Sequence, residues 1–201
     1  MSGLTQTGSP LPLKLIAGIG NPGVQYANTR HNAGIWFIER LAEKLGASFK
    51  PEKKFFGRTS LINVDDVEVR LLIPDTYMNE SGKSVGILAN FFKIEPQEIL
   101  VAHDEIDFPS GKIRFKQEGG LAGHNGLRDI SNRLSGARDF NRLRIGVGHP
   151  GDRTGVTGHV LGKVSAKDRG LIEHCIEDAI ATIPCAVKGD WQLAMQQLHN
   201  A

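Results

Sequence analysis

The chain has 201 residues, 40% of them hydrophobic and 23% charged, with a formal net charge of +2. That length supports one domain with a full core, and the composition is that of an ordinary globular protein. No apolar run approaches a membrane span, Met1 to Pro12 lacks the charged and apolar regions of a secretory signal, and two cysteines, Cys175 and Cys185, are too few for a disulfide framework and too sparse for a zinc site. A cytoplasmic setting fits these features.

Residues 1–12 read as a flexible N-terminal tail and 13–201 as a single domain. Leu13 to Ile19 is a short apolar run that ends in Gly-Asn-Pro-Gly, as a buried strand entering a turn does. Asn32 to Leu45 carries apolar residues at helical spacing and is stopped by Gly46. Phe56 to Val64 and Val67 to Ile73 flank Asp65-Asp66 as a hairpin. Ser81 to Phe92 is a helix that ends before Pro96. Ile99 to Ala102, Ile113 to Lys116 and Leu143 to Val147 are strands, and His124 to Leu134 is a helix that follows a glycine-rich loop. Ser165 with Asp168 opens a further helix, and Pro184 starts or breaks a last helical stretch carrying Trp191, Leu193, Ala194 and Leu198. Strands mixed with helices predict an α/β domain with a covered, mixed sheet.

Charge is unevenly spread. From Lys112 to Arg144 eight basic residues face three acids, which leaves +5 there and −3 elsewhere. Such a segment suits a polyanion, although solvated helix charge would look the same. Gly18-Ile19-Gly20-Asn21-Pro22-Gly23 matches the dinucleotide fingerprint, but a polar loop follows it where the fingerprint needs an immediate helix, so a nucleotide-dependent oxidoreductase is not favoured. Gly82-Lys83-Ser84 lacks the first glycine of a phosphate loop. His103-Asp104-Glu105 has no second ligand cluster, so no metal or cofactor is expected.

Four polar segments lie at strand ends or helix starts: Gly20 to Gly23 with Tyr26 and Thr29 to Asn32; Pro74 to Asn79 with Ser81-Gly82; His103 to Glu105; and Gly123 to Gly126. In an α/β sheet such positions converge on one crevice. The set is rich in asparagine, offers histidine with aspartate, and has no nucleophile elbow. That chemistry suits water attack on a carbonyl, with histidine taking the proton, a carboxylate fixing its tautomer and amides steadying the oxyanion. Simpler readings stand beside it. Asp104 could cap a turn, Asn21 and Asn125 could be turn formers, and His103, His124 and His149 fit structural roles, His124 as a helix cap. Arg144 could be the solvent side of an edge strand.

The stretches LIAGIGNPGVQYANTRHNAG, PDTYMNESG, HDEIDFPSG, GGLAGHNGLRDI and FNRLRIGVGHPGD resemble, in order and spacing, the signature blocks of bacterial peptidyl-tRNA hydrolases. The resemblance implies a single α/β domain with a twisted mixed sheet flanked by helices, and hydrolysis of the ester between a peptide and the 3′ end of tRNA. It implies that His31 is the general base, Asp104 its orienting carboxylate, and Asn21, Asn79 and Asn125 the amides that position water and peptide. It places Tyr26 near the terminal adenosine, Met78 in an apolar wall, and Lys116, Arg144 and Arg153 against tRNA phosphates. Peptidyl-tRNA is the implied partner of a monomer that needs no membrane, cofactor or obligate protein partner. The glycine-rich block departs from the family at Glu118, Leu121 and Ala122, with Glu118 expected to weaken the phosphate contact of Lys116 or reorient the loop. Glu80 and His159 also depart. The alternative is a non-catalytic RNA-binding relative of the same fold.

Overall fold

The computed structural model describes residues 11–152 and 154–200, so Arg153 and all but the end of the expected tail lie outside the described residues. Seven strands form one mixed sheet: β1 (Leu15–Gly18), β2 (Lys50–Glu52), β3 (Gly57–Val64), β4 (Val67–Pro74), β5 (Ile99–Glu105), β6 (Ile113–Lys116) and β7 (Asn141–Gly146), in the order β2-β3-β4-β1-β5-β7-β6. The four central strands run parallel, and β2, β3 and β6 add antiparallel edges. A sheet parallel at its centre must be covered on both faces, which is why its central strands are unbroken apolar runs. Alternate side chains go to opposite cores. Ile16, Leu71, Ile73, Leu100 and Ala102 face one, and Leu15, Ala17, Leu72, Ile99 and Val101 face the other.

Among the described residues there are six α-helices, of which five cover the sheet. On the first face lie α1 (Ala33–Lys44), α5 (Ala166–Val187) and α6 (Trp191–His199); on the second lie α2 (Ser81–Phe92) and α3 (Asn125–Arg133), and α4 (Val156–Val160) is a single short turn. Helix α1 stops where Gly46 adopts φ +65°, a conformation only glycine takes without cost. Ser165 accepts from the Asp168 amide at 3.1 Å and so caps α5.

Two expectations are corrected. Pro184 neither starts nor breaks a helix; it sits inside the 22-residue α5, and the last helix begins at Trp191. The lost hydrogen bond is outweighed because Ile180, Ile183, Ala186 and Val187 are buried on both sides of the proline, and the Val187 carbonyl accepts from Leu13 at 2.9 Å. Nor is Arg144 on an edge strand, since β7 lies between β5 and β6.

The parallel centre sets the site. β1, β4 and β5 all end on one side of the sheet, and α1 starts there against β1 and β5. Its approach is set by Gly34, where an added Cβ would lie 2.2 Å from the Ala102 carbonyl oxygen and 2.8 Å from that of Ile19. Gly34→Ala therefore forces α1 away from the sheet. Overpacking of this kind costs about 1–3 kcal/mol and should lower Tm by roughly 2–12 °C in a chain of this size. Thermal unfolding checks this, and an unchanged Tm would show that α1 has room to retreat.

Candidate active site

The strand ends enclose a cavity of about 340 Å³. Asn21, His31, Met78, Asn79, Asp104 and Asn125 all line it, so the four polar segments do meet. Tyr77, His103, Glu105, Ile106, Ala122 to His124, the α4 residues Val156, Thr157 and Val160, and Leu161 just after them complete the wall. Tyr26 is not in the wall but stands edge-on to Tyr77, with ring centroids 6.3 Å apart.

At the centre is the buried Asp104 carboxylate. Its Oδ1 lies 2.8 Å from His31 Nδ1 and 2.9 Å from His124 Nε2. Desolvation alone would raise its pKa, but the neighbouring imidazoles His31 and His124 and their hydrogen bonds hold it well below the usual carboxylate range. An ionised carboxylate only accepts, so both ring nitrogens donate. The Nδ1–H of His31 is thereby fixed, and its Nε2 lone pair is left for the cavity, which the ring lines. Burial opposes the imidazolium of His31, yet the charge and hydrogen bond of Asp104 prevail and its pKa is raised.

His124 was legible only as a helix cap, and it is one: its Nδ1 accepts from the Leu127 amide at 3.4 Å at the start of α3. Its contact with Asp104 is the part that the sequence did not reveal. His103 directs Nδ1 to the Asp104 carbonyl oxygen at 2.7 Å, and burial followed by repulsion from His124 pushes it down to about 3, so it stays neutral. His31 Nδ1, His124 Nε2 and Asp104 offer donor atoms within 4.8 Å of one another, a spacing a metal ion accepts. Both nitrogens, however, already point at one oxygen, and an ion would have to break both hydrogen bonds.

Asn21 is held from two sides. Asn32 accepts from its backbone N–H at 2.8 Å and donates to its carbonyl at 3.0 Å, while Asn21 Oδ1 accepts from the Met78 amide at 2.8 Å. With Oδ1 engaged, the amide Nδ2 is the group left to donate into the cavity. Asn79 and Asn125 are exposed at the rim. Among the described residues, the wall contains no serine, cysteine or lysine. The arrangement can polarise a water molecule at His31 Nε2 and stabilise an oxyanion at amide donors.

Away from the cavity, Lys116 and Arg142 are directly paired between β6 and β7, with Arg144 two residues along. Arg144 donates to the buried Glu105 at 2.8 Å. Burial and then repulsion from Arg142 and Arg144 lower the pKa of Lys116. Three cations with one carboxylate between them leave positive charge for an anion. Glu118 makes no ion pair with Lys116 among the described residues; its backbone matters instead, because Arg142 is buried and donates to the carbonyls of Glu118, Gly119 (3.2 Å) and Gly120 (2.7 Å).

A family model described as "Peptidyl-tRNA hydrolase" matches residues 15–201. The chain belongs to the peptidyl-tRNA hydrolase family. A peptidyl-tRNA hydrolase of Shewanella sp. (strain ANA-3) is 53% identical over 188 residues, covering 94% of this chain and 96% of the relative. One of Neisseria gonorrhoeae (strain NCCP11945) is 50% identical and covers 94% and 97%. The crystal structure of peptidyl-tRNA hydrolase from Acinetobacter baumannii superposes with a TM-score of 0.89 at 48% identity, covering 92% of this chain and 94% of that one. The mixed sheet flanked by helices agrees with the expected architecture, and the superposition shows that its fold is shared with that relative.

The raised pKa of His31 has a consequence for pH. If neutral His31 is the working form, kcat/KM rises with pH and its midpoint lies above the ordinary histidine value of about 6.5. Asp104→Asn removes the charge that raises it while burial remains, so the midpoint should move below that value and the plateau should fall by part of the ~10²–10⁴ that a positioned base contributes. A pH profile of both proteins checks this; an unmoved midpoint would show that Asp104 does not govern the titrating group.

Proposed function

We propose that the cavity hydrolyses the ester that joins a peptide, or an N-blocked amino acid, to the 3′ end of tRNA. The observation that carries this reading is the contact of His31 Nδ1 with buried Asp104 at 2.8 Å, in a chain whose relatives bear that activity in their name. His31 Nε2 takes a proton from water as the oxygen attacks the ester carbonyl carbon. Asp104 keeps the proton on Nδ1 and balances the imidazolium that forms. Asn21 Nδ2 donates to the oxyanion. When the intermediate collapses, the bond to the ribose 3′ oxygen breaks and the imidazolium returns the proton to it, which leaves a tRNA hydroxyl and a peptide carboxylic acid that loses its own proton to water. Asn79 and Asn125 hold the peptide backbone at the rim, Met78 forms the apolar wall, and Tyr26 with Tyr77 packs against the terminal adenosine. Lys116 and Arg144 receive phosphates, and Arg153 is assigned to the same role from its place in the sequence. No helix among the described residues is long and apolar enough to cross a membrane. The proposed protein works in the cytoplasm, as a monomer with no metal and no obligate protein partner.

His31→Ala tests the chemistry. The ring is only partly buried beside an open cavity, so its loss leaves no large void in the core. The variant should stay folded, with a Tm lowered because the buried Asp104 keeps only one of its two donors, bind tRNA, and hydrolyse N-acetylaminoacyl-tRNA about 10²–10⁴-fold more slowly. Near-parental turnover would place the base elsewhere.

Lys116→Ala tests the phosphate contact. It should raise KM, leave kcat nearly unchanged and reduce the salt dependence of log KM by about one. It is a cleaner variant than Arg144→Ala, which strands the buried carboxylate of Glu105. A drop in kcat at normal KM would move Lys116 from binding to chemistry.

A further inference from the structure

The sheet edge opposite Lys116 carries a surface that the hydrolytic reading does not use. A short turn, Lys53–Phe55, follows edge strand β2, and Phe56 follows it at φ +51° with its side chain 41% exposed. A phenylalanine held in the left-handed region is strained, and here the strain keeps a large apolar ring at the surface. Beside it runs the outer stripe of α2, in which Lys83, Ile87 and Phe91 recur every four residues; Ile87 is 39% and Phe91 59% exposed.

The lysines here are organised around the rings. Lys83 Nζ stands 4.0 Å from the centroid of Phe56, and Lys54 Nζ stands 4.5 Å from that of Phe91 and 4.8 Å from that of the buried Phe55. Phe55 meets Phe91 nearly edge to face at 5.5 Å, which anchors the exposed ring to the core. Among the described residues, the lysines in ion pairs are Lys14, Lys44 and Lys188, so Lys50, Lys53, Lys54, Lys83 and Lys93 keep their charge unneutralised. The nearby Asp75 is taken by Arg58.

We propose that Lys54, Phe56, Lys83 and Phe91 form a second RNA-binding face that takes unpaired nucleotides. Partly exposed rings with ammonium groups beside them call for a ligand that is planar and anionic by turns, and a single strand of RNA supplies both in alternation. An acidic peptide satisfies the lysines but gives the rings little to stack on. Duplex RNA hides its bases and satisfies only the lysines. Across seven strands the two sheet edges lie roughly 30 Å apart, so this face is distinct from Lys116 and Arg144, with the cavity between them. It stands whether or not the cavity hydrolyses peptidyl-tRNA.

The test uses the full chain with a fluorescent, unstructured eight-nucleotide RNA carrying 4-thiouridine. The oligonucleotide should bind more tightly than a duplex of the same length and, on irradiation, crosslink to peptides spanning residues 53–56 or 83–91. Phe56→Asn with Phe91→Ser should weaken binding at least about 25-fold, since each lost base–ring stack is worth about fivefold or more. Asparagine is chosen because it tolerates the left-handed backbone. The double variant should stay folded, with a Tm only modestly lowered by the loss of the Phe55 contact, and keep the parental kcat on N-acetylaminoacyl-tRNA. If it does not fold, Lys54→Ala with Lys83→Ala replaces it, and the slope of log affinity against log salt should fall by about 1.4. Crosslinks confined to the cavity and its Lys116 side, affinity or slope unchanged in the variants, or equal competition by a glutamate-rich peptide of the same charge would overturn the proposal.

Discussion

The site rests on one buried carboxylate. Asp104 lies at the end of β5 where water is nearly excluded, and a charge there survives only because two imidazole N–H groups converge on a single oxygen. Each partner is held by a different part of the chain. His31 comes from the turn before α1, fixed where Arg30 donates to the Lys163 carbonyl at 3.0 Å, and His124 comes from the cap of α3. Two helices and a strand are therefore joined at one atom, and the tautomers of both histidines follow from its ionisation. Were Asp104 neutral, neither ring would have a fixed proton and the helix starts would lose their common anchor.

Much of the fold was legible because its elements are long and periodic. The Ser81–Phe92 helix and the Ile113–Lys116 strand match their expected bounds, and the hairpin differs by a residue at its ends. The errors have physical causes. β5 was expected to stop at Ala102 because His103-Asp104-Glu105 looks like a turn, yet these residues stay paired in register with Arg144, Ile145 and Gly146. A polar run in a central strand is stable only when tertiary partners satisfy it, and Arg144 and His124 are far away in sequence. β2 has three residues and contains Pro51, and α4 has five residues and contains Gly158, so neither carries a period to detect.

The site was legible in composition and less so in connectivity. That His31, Asp104, Asn21, Asn79 and Asn125 face one cavity follows from their places at strand ends and helix starts. The relay from Asn32 through Asn21 to Met78 does not, because Asn32 looked like the first residue of a helix. Its side chain caps nothing; it grips the backbone of Asn21, eleven residues earlier. His124 was hidden for a related reason. A residue with one evident local role gives no sign of a second, non-local one.

Arg142 gives the basic side of the site an unusual character. Its guanidinium is buried and bound to neutral carbonyls of the 118–120 loop, so its charge is solvated by dipoles, with no carboxylate in contact among the described residues. Mobile ions crowd around an exposed ammonium such as that of Lys54, but they cannot approach a cation lodged between a strand and a loop. Salt in the surrounding water screens the reach of both charges alike, but they differ in place: an exposed ammonium can follow a phosphate on its flexible stem, whereas the guanidinium of Arg142 is fixed by the loop it holds. The basic edge therefore has one point of positive charge that does not move when a negatively charged chain arrives.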